Sequence, residues 1–277
     1  MTELWLRVVE ASQELVWVSI AFFLVSLVIK GRATSEWIKR SWGEARLNLF
    51  YYFLDLVLVV PVGALMIAGI NFLILDGGLA FYTPESYDAW PPILVLLFCV
   101  ATSDFIGYWR HRLLHTWALW PVHAIHHSDT EMTWTTLARF HPINRLMTTG
   151  LNAAFLSLLG VPPGFIALNG IFRHYYGYFI HADIPWSYGP LRFVLVSPIM
   201  HRWHHVREVE GSGSNFATVF ALYDLAFRSF YMPPRVVPSL GITEPRFPDT
   251  WLGQTLYPFR VWAGRMRREA AEAQAAE

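Results

Sequence analysis

Residues 91–115, PPILVLLFCVATSDFIGYWRHRLLH, join an apolar segment directly to the first two histidines of the chain. The apolar part, residues 91–109, is about long enough to cross the hydrocarbon core of a membrane as one helix. His111 and His115 follow it without a loop, and residues four apart share one face of a helix. This stretch therefore predicts a transmembrane helix that carries a candidate metal-binding pair at its end.

Three histidine clusters hold eight of the eleven histidines. They are His111-Arg-Leu-Leu-His115, His123-Ala-Ile-His126-His127 and His201-Arg-Trp-His204-His205. The spacing within each cluster predicts imidazoles on one face of a helix. Eight imidazoles exceed the ligand number of a single zinc or iron ion, so the clusters predict two metal ions. Neutral imidazoles leave most of the charge of two divalent ions uncompensated, which favours a bridging water, a hydroxide or a nearby carboxylate.

The composition is that of a membrane protein. The 277-residue chain is 54% hydrophobic and 15% charged, and its mean hydropathy is +0.33. Its 21 basic and 21 acidic residues cancel, so no global charge favours nucleic acid as a partner. The only cysteine, Cys99, lies in an apolar run, which excludes internal disulfides, thiolate zinc sites and Cys-ligated iron–sulfur clusters. Any metal must therefore be held by nitrogen or oxygen.

Apolar stretches predict an all-α integral membrane bundle of about four transmembrane helices in two hairpins. The stretches are residues 13–29, 47–75, 91–109 and 146–180, the last broken by Pro162-Pro163. The Lys/Arg-rich connection after the first stretch predicts the cytoplasmic side, and the histidine clusters fall on that same side in a helical cap. The N-terminus lacks a small-residue cleavage site, so we expect it to remain as an anchor. We predict one multi-pass domain over residues 1–277.

The three isolated histidines carry different expectations. His181 returns to the side of the clusters, twenty positions before the third one, and we expect it to be a ninth ligand. His174 lies two helical turns earlier, where a further ligand and an ordinary buried histidine fit equally well. His141 precedes a proline, and we expect it to form hydrogen bonds near the site rather than to bind metal.

Four other polar residues are candidates to orient the ligands. Asp104 and Tyr108 lie on the helical stripe of the first cluster. Since an ionisable group at this depth indicates function, we expect Asp104 to orient a ligand imidazole, with direct metal ligation as the alternative. Asn215 and Asp224 are candidates for polar contacts around the ligands, although a helix cap explains Asn215 almost as well.

These motifs, in this order, resemble the fatty acid hydroxylase/sterol desaturase superfamily of integral-membrane di-iron enzymes. The resemblance covers residues 95–232 and includes Asp104, His127-Ser128, Arg139-x-His141-Pro142 and Asn215 followed by Asp224. It implies two irons, dioxygen and two external electrons, used to hydroxylate an unactivated C–H bond of a fatty acyl, sterol or related lipid. The implied ligands are His111, His115, His123, His126, His127, His181, His201, His204 and His205. Zinc can replace iron in a purified sample, because imidazole sites bind zinc more tightly.

Several alternatives stay open at this point. A desaturase or an ether-lipid cleaving monooxygenase could use the same motifs, and a non-enzymatic membrane haem or metal-transport protein is more distant. The chain has no Gly-rich dinucleotide fingerprint, so the electrons are expected from a separate reductase, ferredoxin or small cytochrome. Arg202, Arg207 and the C-terminal arginines could dock an acidic donor, although a positive-inside topology explains the same charges.

Overall fold

The computed structural model describes residues 2–207, 213–237, 239–244 and 247–276. Within these residues the protein is all-helical, as predicted, and its β-type pairings are two isolated bridges, Leu195 with Phe220 and Val206 with Leu240. The α-helices of this part of the chain are α1 (Thr2–Lys30), α2 (Thr34–Leu54), α3 (Val60–Asn71), α4 (Pro92–Leu114), α5 (Trp120–His127), α6 (Pro142–Leu158), α7 (Pro163–His181), α8 (Pro198–His204), α9 (Leu222–Ala226) and α10 (Trp251–Ala276).

The first two helices form an antiparallel hairpin. The chain turns at the 3-10 segment Gly31–Ala33, where Gly31 has a φ of +54°, a conformation that glycine adopts without strain. Near the turn the Thr34 hydroxyl donates to the Ser26 carbonyl at 3.1 Å. At the far end the Tyr52 hydroxyl donates to the Ala11 carbonyl at 2.9 Å. This register places residues 13–29 beside α2. The sequence suggested a connecting loop after residue 29, whereas the three-residue turn leads directly into a helix.

Helix α2 continues into α3 through a π-helical turn, Asp55–Val59. A second π-helical turn, Phe72–Asp76, follows α3, so residues 34–76 form one long helical run. Pro61 lies at the start of α3, directly after the first π turn. Because a proline inside a helix loses a backbone hydrogen bond and crowds the preceding turn, a local change of helix type at this position is expected.

Helices α3, α4, α6 and α7 form the bundle that supports the histidines. Helix α3 packs on α6, and α4 packs on both α6 and α7. The turn between α6 and α7 contains Gly160, which has a φ of +61° and where an added Cβ would lie 2.0 Å from the Tyr82 carbonyl oxygen. Pro163 then starts α7. The bend predicted at Pro162-Pro163 is therefore present.

Two helical segments of the described chain are long and apolar enough to cross a membrane. They are Val8–Asp76, which includes the hairpin turn, and Pro92–Leu114. Large apolar side chains such as Val28 and Leu65 are exposed on the first segment, at 87% and 75%. An extended apolar surface of this kind suits contact with lipid. The four-span topology and the cytoplasmic position of the histidines stay predictions.

Short elements cover the end of the bundle where α4 and α7 finish. Helices α5 and α8 lie there, together with the irregular segment 214–220. Helix α10 closes this end from outside: the Trp262 indole donates to the Ala118 carbonyl at 2.8 Å, and Arg265 donates to the Trp117 carbonyl at 2.6 Å. The histidine-bearing elements are thereby brought into one compact region.

Candidate metal centre

Four separate segments of the chain bring the predicted ligands together. His111 is in the last turn of α4, and His115 follows that helix. Helix α5 carries three histidines and begins at a proline-containing first turn, which suits the fixed φ of proline. The last residue of α7 is His181. Helix α8 is capped by Ser197, whose hydroxyl accepts from the Met200 amide at 3.2 Å, and it carries the third cluster at its end.

Nine of the eleven histidines form two groups that could each hold a metal ion. In each group the candidate ligand atoms lie within 4.8 Å of one another. The five-histidine group is His111, His115, His123, His127 and His204. The four-histidine group is His126, His181, His201 and His205. These nine are the residues that the sequence predicted as ligands.

The two groups do not follow the sequence clusters, which corrects the expectation that each cluster forms one face. In α5, His123 and His127 belong to the five-histidine group, whereas His126 belongs to the four-histidine group. In the third cluster His201 and His205 stay together, and His204 joins the other group. Residues four apart point nearly the same way on a helix, and adjacent residues point about 100° apart. Each His-x-x-His-His cluster therefore contributes to both groups.

The distances between ring nitrogens fit shared metal ions. His111 Nε2 lies 2.9 Å from His123 Nε2, and His123 Nε2 lies 3.2 Å from His127 Nε2. In the other group His181 Nε2 lies 3.2 Å from His126 Nε2 and 3.0 Å from His201 Nε2. Two nitrogens bound at about 2.1 Å to one ion and at right angles to each other would be about 3.0 Å apart. The observed separations are those of neighbouring ligands.

Orphaned ring nitrogens give a second test of the fit. His115 Nε2, His204 Nε2 and His205 Nε2 are buried and have no hydrogen-bond partner among the described residues. Buried polar atoms normally have a partner, and each one left without costs about 1–3 kcal/mol. A metal ion bound by these nitrogens would remove that cost, so the residues present fit a metal.

Burial keeps these imidazoles neutral. Desolvation, reinforced by the charges of neighbouring imidazoles, holds the pKa of His123 and of His127 well below the usual range. The same causes lower the pKa of His201 and of His205. A neutral imidazole is the form that binds metal. The groups are thus in the ligating form at neutral pH.

Backbone carbonyls fix the second nitrogen of three ligands. His111 Nδ1 donates to the Phe216 carbonyl at 2.8 Å, and His204 Nδ1 donates to the Ser214 carbonyl at 2.6 Å. His181 Nδ1 donates to the Gly177 carbonyl at 2.7 Å, one turn earlier in α7. A proton held on Nδ1 leaves the Nε2 lone pair free and orients the ring, as in many metal sites.

Two carboxylates hold the segment that supplies the first two carbonyls. Asp224 accepts from the Phe216 amide at 2.7 Å and from the Ala217 amide at 3.1 Å. Asp104 accepts from the amides of Thr218, Val219 and Phe220, at 2.7–3.1 Å. Among the described residues Asp104 contacts no imidazole. Its role differs from the predicted orientation of a ligand ring, because it acts through the backbone of residues 218–220.

Asn215 lies between the two carbonyls, in the left-handed region at a φ of +55°. Its Nδ2 donates to the Met200 carbonyl at 3.0 Å and to the Tyr231 carbonyl at 2.7 Å, and its Oδ1 accepts from the Tyr231 amide at 2.8 Å. Asparagine tolerates this backbone conformation better than most residues. Asn215 therefore turns the chain so that Ser214 and Phe216 both face histidines, and it is not a helix cap.

The remaining candidates lie outside the two groups. The Tyr108 hydroxyl contacts Ser229 Oγ at 2.7 Å, and the ring packs edge-on against Phe216. His141 caps α6, with Nδ1 accepting from the Ile143 amide at 3.1 Å. His174 Nε2 contacts Glu14 Oε1 at 3.1 Å. The possible ligand role of His174 is thus not supported, and His141 forms hydrogen bonds as expected, although none of them reaches a ligand.

Sequence reasoning missed several polar residues beside the histidines. Asn144 Nδ2 lies 3.3 Å from His123 Nδ1, and Asn144 Oδ1 accepts from Arg110 at 3.1 Å. Arg173 pairs with Asp104, with 2.8 Å between NH1 and Oδ1. For the two arginines, the position in the sequence was the signal that could have indicated a role. Arg173 interrupts an apolar stretch, and Arg110 directly precedes His111.

A cavity of about 610 Å³ opens beside the histidines. Its lining runs along α7 from Pro163 to His181, about 27 Å at 1.5 Å per residue. One end is lined by His111, His123, His126, His181 and His201, from both groups. The other end is mostly apolar and includes Leu156 and Ile166, with Asn71 and Ser157 hydrogen-bonded to each other. The cavity has the shape and the lining to hold a hydrocarbon chain with one end against the candidate metal centre.

Comparison with known proteins gives consistent matches over the histidine region. Residues 96–229 match the fatty acid hydroxylase family. The chain is 30% identical over 174 residues to an ornithine lipid hydroxylase of Rhizobium tropici, covering 62% of this chain and 52% of that protein. It is 31% identical over 143 residues to human alkylglycerol monooxygenase, covering 51% and 32%. The matches thus span about half of the first relative and a third of the second. No solved structure matches significantly.

Proposed function

Since residues 96–229 match the fatty acid hydroxylase family, we propose that the chain is a member of this superfamily and a membrane di-iron oxygenase that hydroxylates an unactivated C–H bond of a lipid. In this reaction one oxygen atom of O₂ enters the C–H bond as a hydroxyl group. The other oxygen atom leaves as water, with two electrons from an external donor and two protons from solvent. The relatives are named as a lipid hydroxylase and an alkylglycerol monooxygenase, which supports an oxidoreductase of this class.

The grouping of nine histidines into a set of five and a set of four is the observation that carries the proposal. The five-histidine group would hold one iron and the four-histidine group the other. Two irons would supply the activation of dioxygen that attack on an unactivated C–H bond needs. Neither group contains a carboxylate or a thiolate among the described residues, so both sites are nitrogen-only.

The surrounding residues prepare the site in three ways. The carbonyls of Ser214, Phe216 and Gly177 hold the proton on Nδ1 of three ligands and so aim Nε2 inward. Burial excludes water, which protects reactive oxygen chemistry from side reactions. The cavity reaches histidines of both groups and would hold a hydrocarbon chain against them.

We also propose the topology and the partners that the sequence predicts. The bundle would cross the bilayer about four times as one domain, with the histidines on the cytoplasmic side. A ferredoxin, a small cytochrome or a reductase would deliver the electrons. An acidic donor would find a basic surface on α10, where Arg265, Arg267 and Arg268 follow one another closely.

The similarity to alkylglycerol monooxygenase favours one second candidate, cleavage of an ether lipid. Hydroxylation of the carbon beside an ether oxygen would give a hemiacetal, which collapses to an aldehyde and an alcohol. The same histidine site would serve both reactions, because the difference lies in the atom next to the attacked carbon. A substrate series with ether-linked and ester-linked chains of equal length separates the two.

The test starts with full-length protein purified in detergent from iron-replete cells. About two irons per chain with a Mössbauer signature of a coupled pair, and a hydroxylated lipid formed only with O₂ and an electron donor, are expected. His126→Ala is expected to abolish turnover and lower the iron content, since it removes a ligand.

The matched control is His141→Asn, which changes a histidine outside both groups and keeps a residue suited to cap α6. It should retain the iron. Iron-free wild-type protein with intact helicity, or a Soret band from bound haem, would contradict the proposal.

A further inference from the structure

Three arginines line the cavity close to the histidines, and two of them have carboxylate partners. Arg173 pairs with Asp104 at 2.8 Å, and Arg145 Nε lies 3.3 Å from Asp55 Oδ2. Arg145 also lies over the Phe140 ring, 4.6 Å from its centroid. The charges of these two side chains are therefore compensated within the protein.

Arg110 differs from both. Its NH1 donates to two neutral groups, Asn144 Oδ1 at 3.1 Å and Thr148 Oγ1 at 2.6 Å. Its Nε is buried without a hydrogen-bond partner, and no carboxylate of the described chain lies within ion-pair distance of it. A guanidinium that faces a largely apolar cavity without a counter-charge is unfavourable unless an anion binds to it.

The cavity becomes apolar with distance from Arg110. On α6, Thr148 and Asn152 face the cavity one turn apart, and Asn152 Oδ1 is buried without a partner. Further along, the lining consists of side chains such as Leu156, Val161 and Ile166. A cavity with a cation and polar side chains at one end and mostly hydrocarbon at the other suits an amphipathic molecule in one orientation.

We infer that the cavity binds an anionic lipid, with a carboxylate or phosphate oxygen on the Arg110 guanidinium and the hydrocarbon chain toward Ile166. Asn144 contacts both Arg110, at 3.1 Å, and His123, at 3.3 Å, so an anion on Arg110 would lie beside the five-histidine group. The carbon presented for oxidation is therefore near the polar end of the lipid and not at the tip of its chain. The position of oxidation rests on the proposed function, whereas the binding itself does not.

Binding of three single-chain probes to the full-length wild-type protein tests this inference. Palmitate, 16-carbon lysophosphatidic acid and hexadecanol share the chain and differ in the head group. By isothermal titration calorimetry in a neutral detergent, at least one anionic probe is expected to bind about tenfold or more tightly than hexadecanol. The better anion identifies a carboxylate or a phosphate as the natural head group. Equal affinity for hexadecanol and both anions overturns the inference without any variant.

Substitution of Arg110 tests whether the preference for anionic probes comes from this residue. Arg110→Gln is expected to weaken anion binding about tenfold to a hundredfold and to leave hexadecanol binding unchanged, whereas Arg110→Lys retains part of the preference. The control Arg46→Gln makes the same change on the exposed surface of α2 and should bind all probes as wild type does. An unchanged anion preference in Arg110→Gln overturns the assignment to Arg110.

Iron content measured on the same samples separates this inference from the proposed function. Two irons and turnover without an anion preference would overturn only the orientation of the lipid. An anion preference lost in Arg110→Gln, in protein that never holds iron, would support the lipid site and contradict the di-iron reaction.

Discussion

The two histidine groups differ in what fixes their imidazoles. In the five-histidine group, His111 and His204 donate to backbone carbonyls of segment 214–220. This segment starts ten residues after His204 and more than a hundred residues after His111. In the four-histidine group, His181 donates to Gly177 in its own helix. The first group therefore depends on the position of a distant, irregular segment, and the second depends on α7. One metal site can accordingly be weakened while the other is kept.

Removal of one ligand from each group gives the largest expected effect. His201→Ala is expected to lower the iron content from about two to about one per chain by emptying the four-histidine group, and His204→Ala should empty the five-histidine group instead. Turnover should be lost in both, because the reaction needs both irons. Metal analysis with Mössbauer spectra measures which site remains. Identical residual spectra in the two variants would contradict the division into two groups.

Loosening of segment 214–220 should affect one group alone. Asp224→Asn replaces a carboxylate that accepts from two amides with an amide that has one acceptor oxygen. The affinity of the five-histidine group for metal is expected to fall about tenfold to a hundredfold, with the other group unchanged. Competition with a chelator measures both affinities.

Asp183→Asn is the control for that experiment. Asp183 is partly exposed and pairs with Lys30 and Arg202 outside both groups. The substitution should leave metal affinity close to that of wild type. Equal losses at the two groups in Asp224→Asn would show that the segment supports the centre as a whole.

The sequence predicted the nine candidate ligands but not their partition. His126 and His127 are adjacent in sequence and look equivalent there, yet they belong to different groups because adjacent helical residues diverge by about 100°. The sequence also did not indicate which residues orient the imidazole rings. Ser214 and Phe216 act through their carbonyls, which every residue possesses, so no side-chain pattern marks them.

The fold was predictable where apolar runs and prolines are distinctive. The bend at Pro162-Pro163 and the apolar helix that carries His111 in its last turn follow directly from the sequence. The register of the first hairpin did not follow, because it is set by the left-handed Gly31 and by contacts such as that between Tyr52 and Ala11. Long-range contacts of this kind have no local signal.

Acid should destabilise the metal-free protein. Burial lowers the pKa of His204 to about 4, whereas an unfolded histidine has a pKa of about 6.5. The unfolded chain therefore binds more protons between these values, so stability is full above about pH 6.5 and is lost as the pH falls toward 4. The other buried histidines with lowered pKa values add to this dependence. Thermal unfolding of metal-free protein in detergent from pH 7.5 to 4.5 measures it.

Bound metal should shift that acid transition to lower pH, because the ion and the proton compete for the same nitrogens. Comparison of His201→Ala with His204→Ala, each holding metal in one group, then shows which group protects the fold more. A melting temperature that does not change between pH 7 and 5 in the metal-free protein would argue against buried neutral imidazoles.

The smallest effect is expected from His174→Gln, which tests whether the division into five and four is complete. His174 and Glu14 have side chains 38% and 33% exposed, so their contact contributes less than about 1 kcal/mol. Glutamine can still donate to the Glu14 carboxylate. Both irons should therefore remain, and the melting temperature should change little. Loss of one iron in this variant would make His174 a tenth ligand and would contradict its position outside both groups.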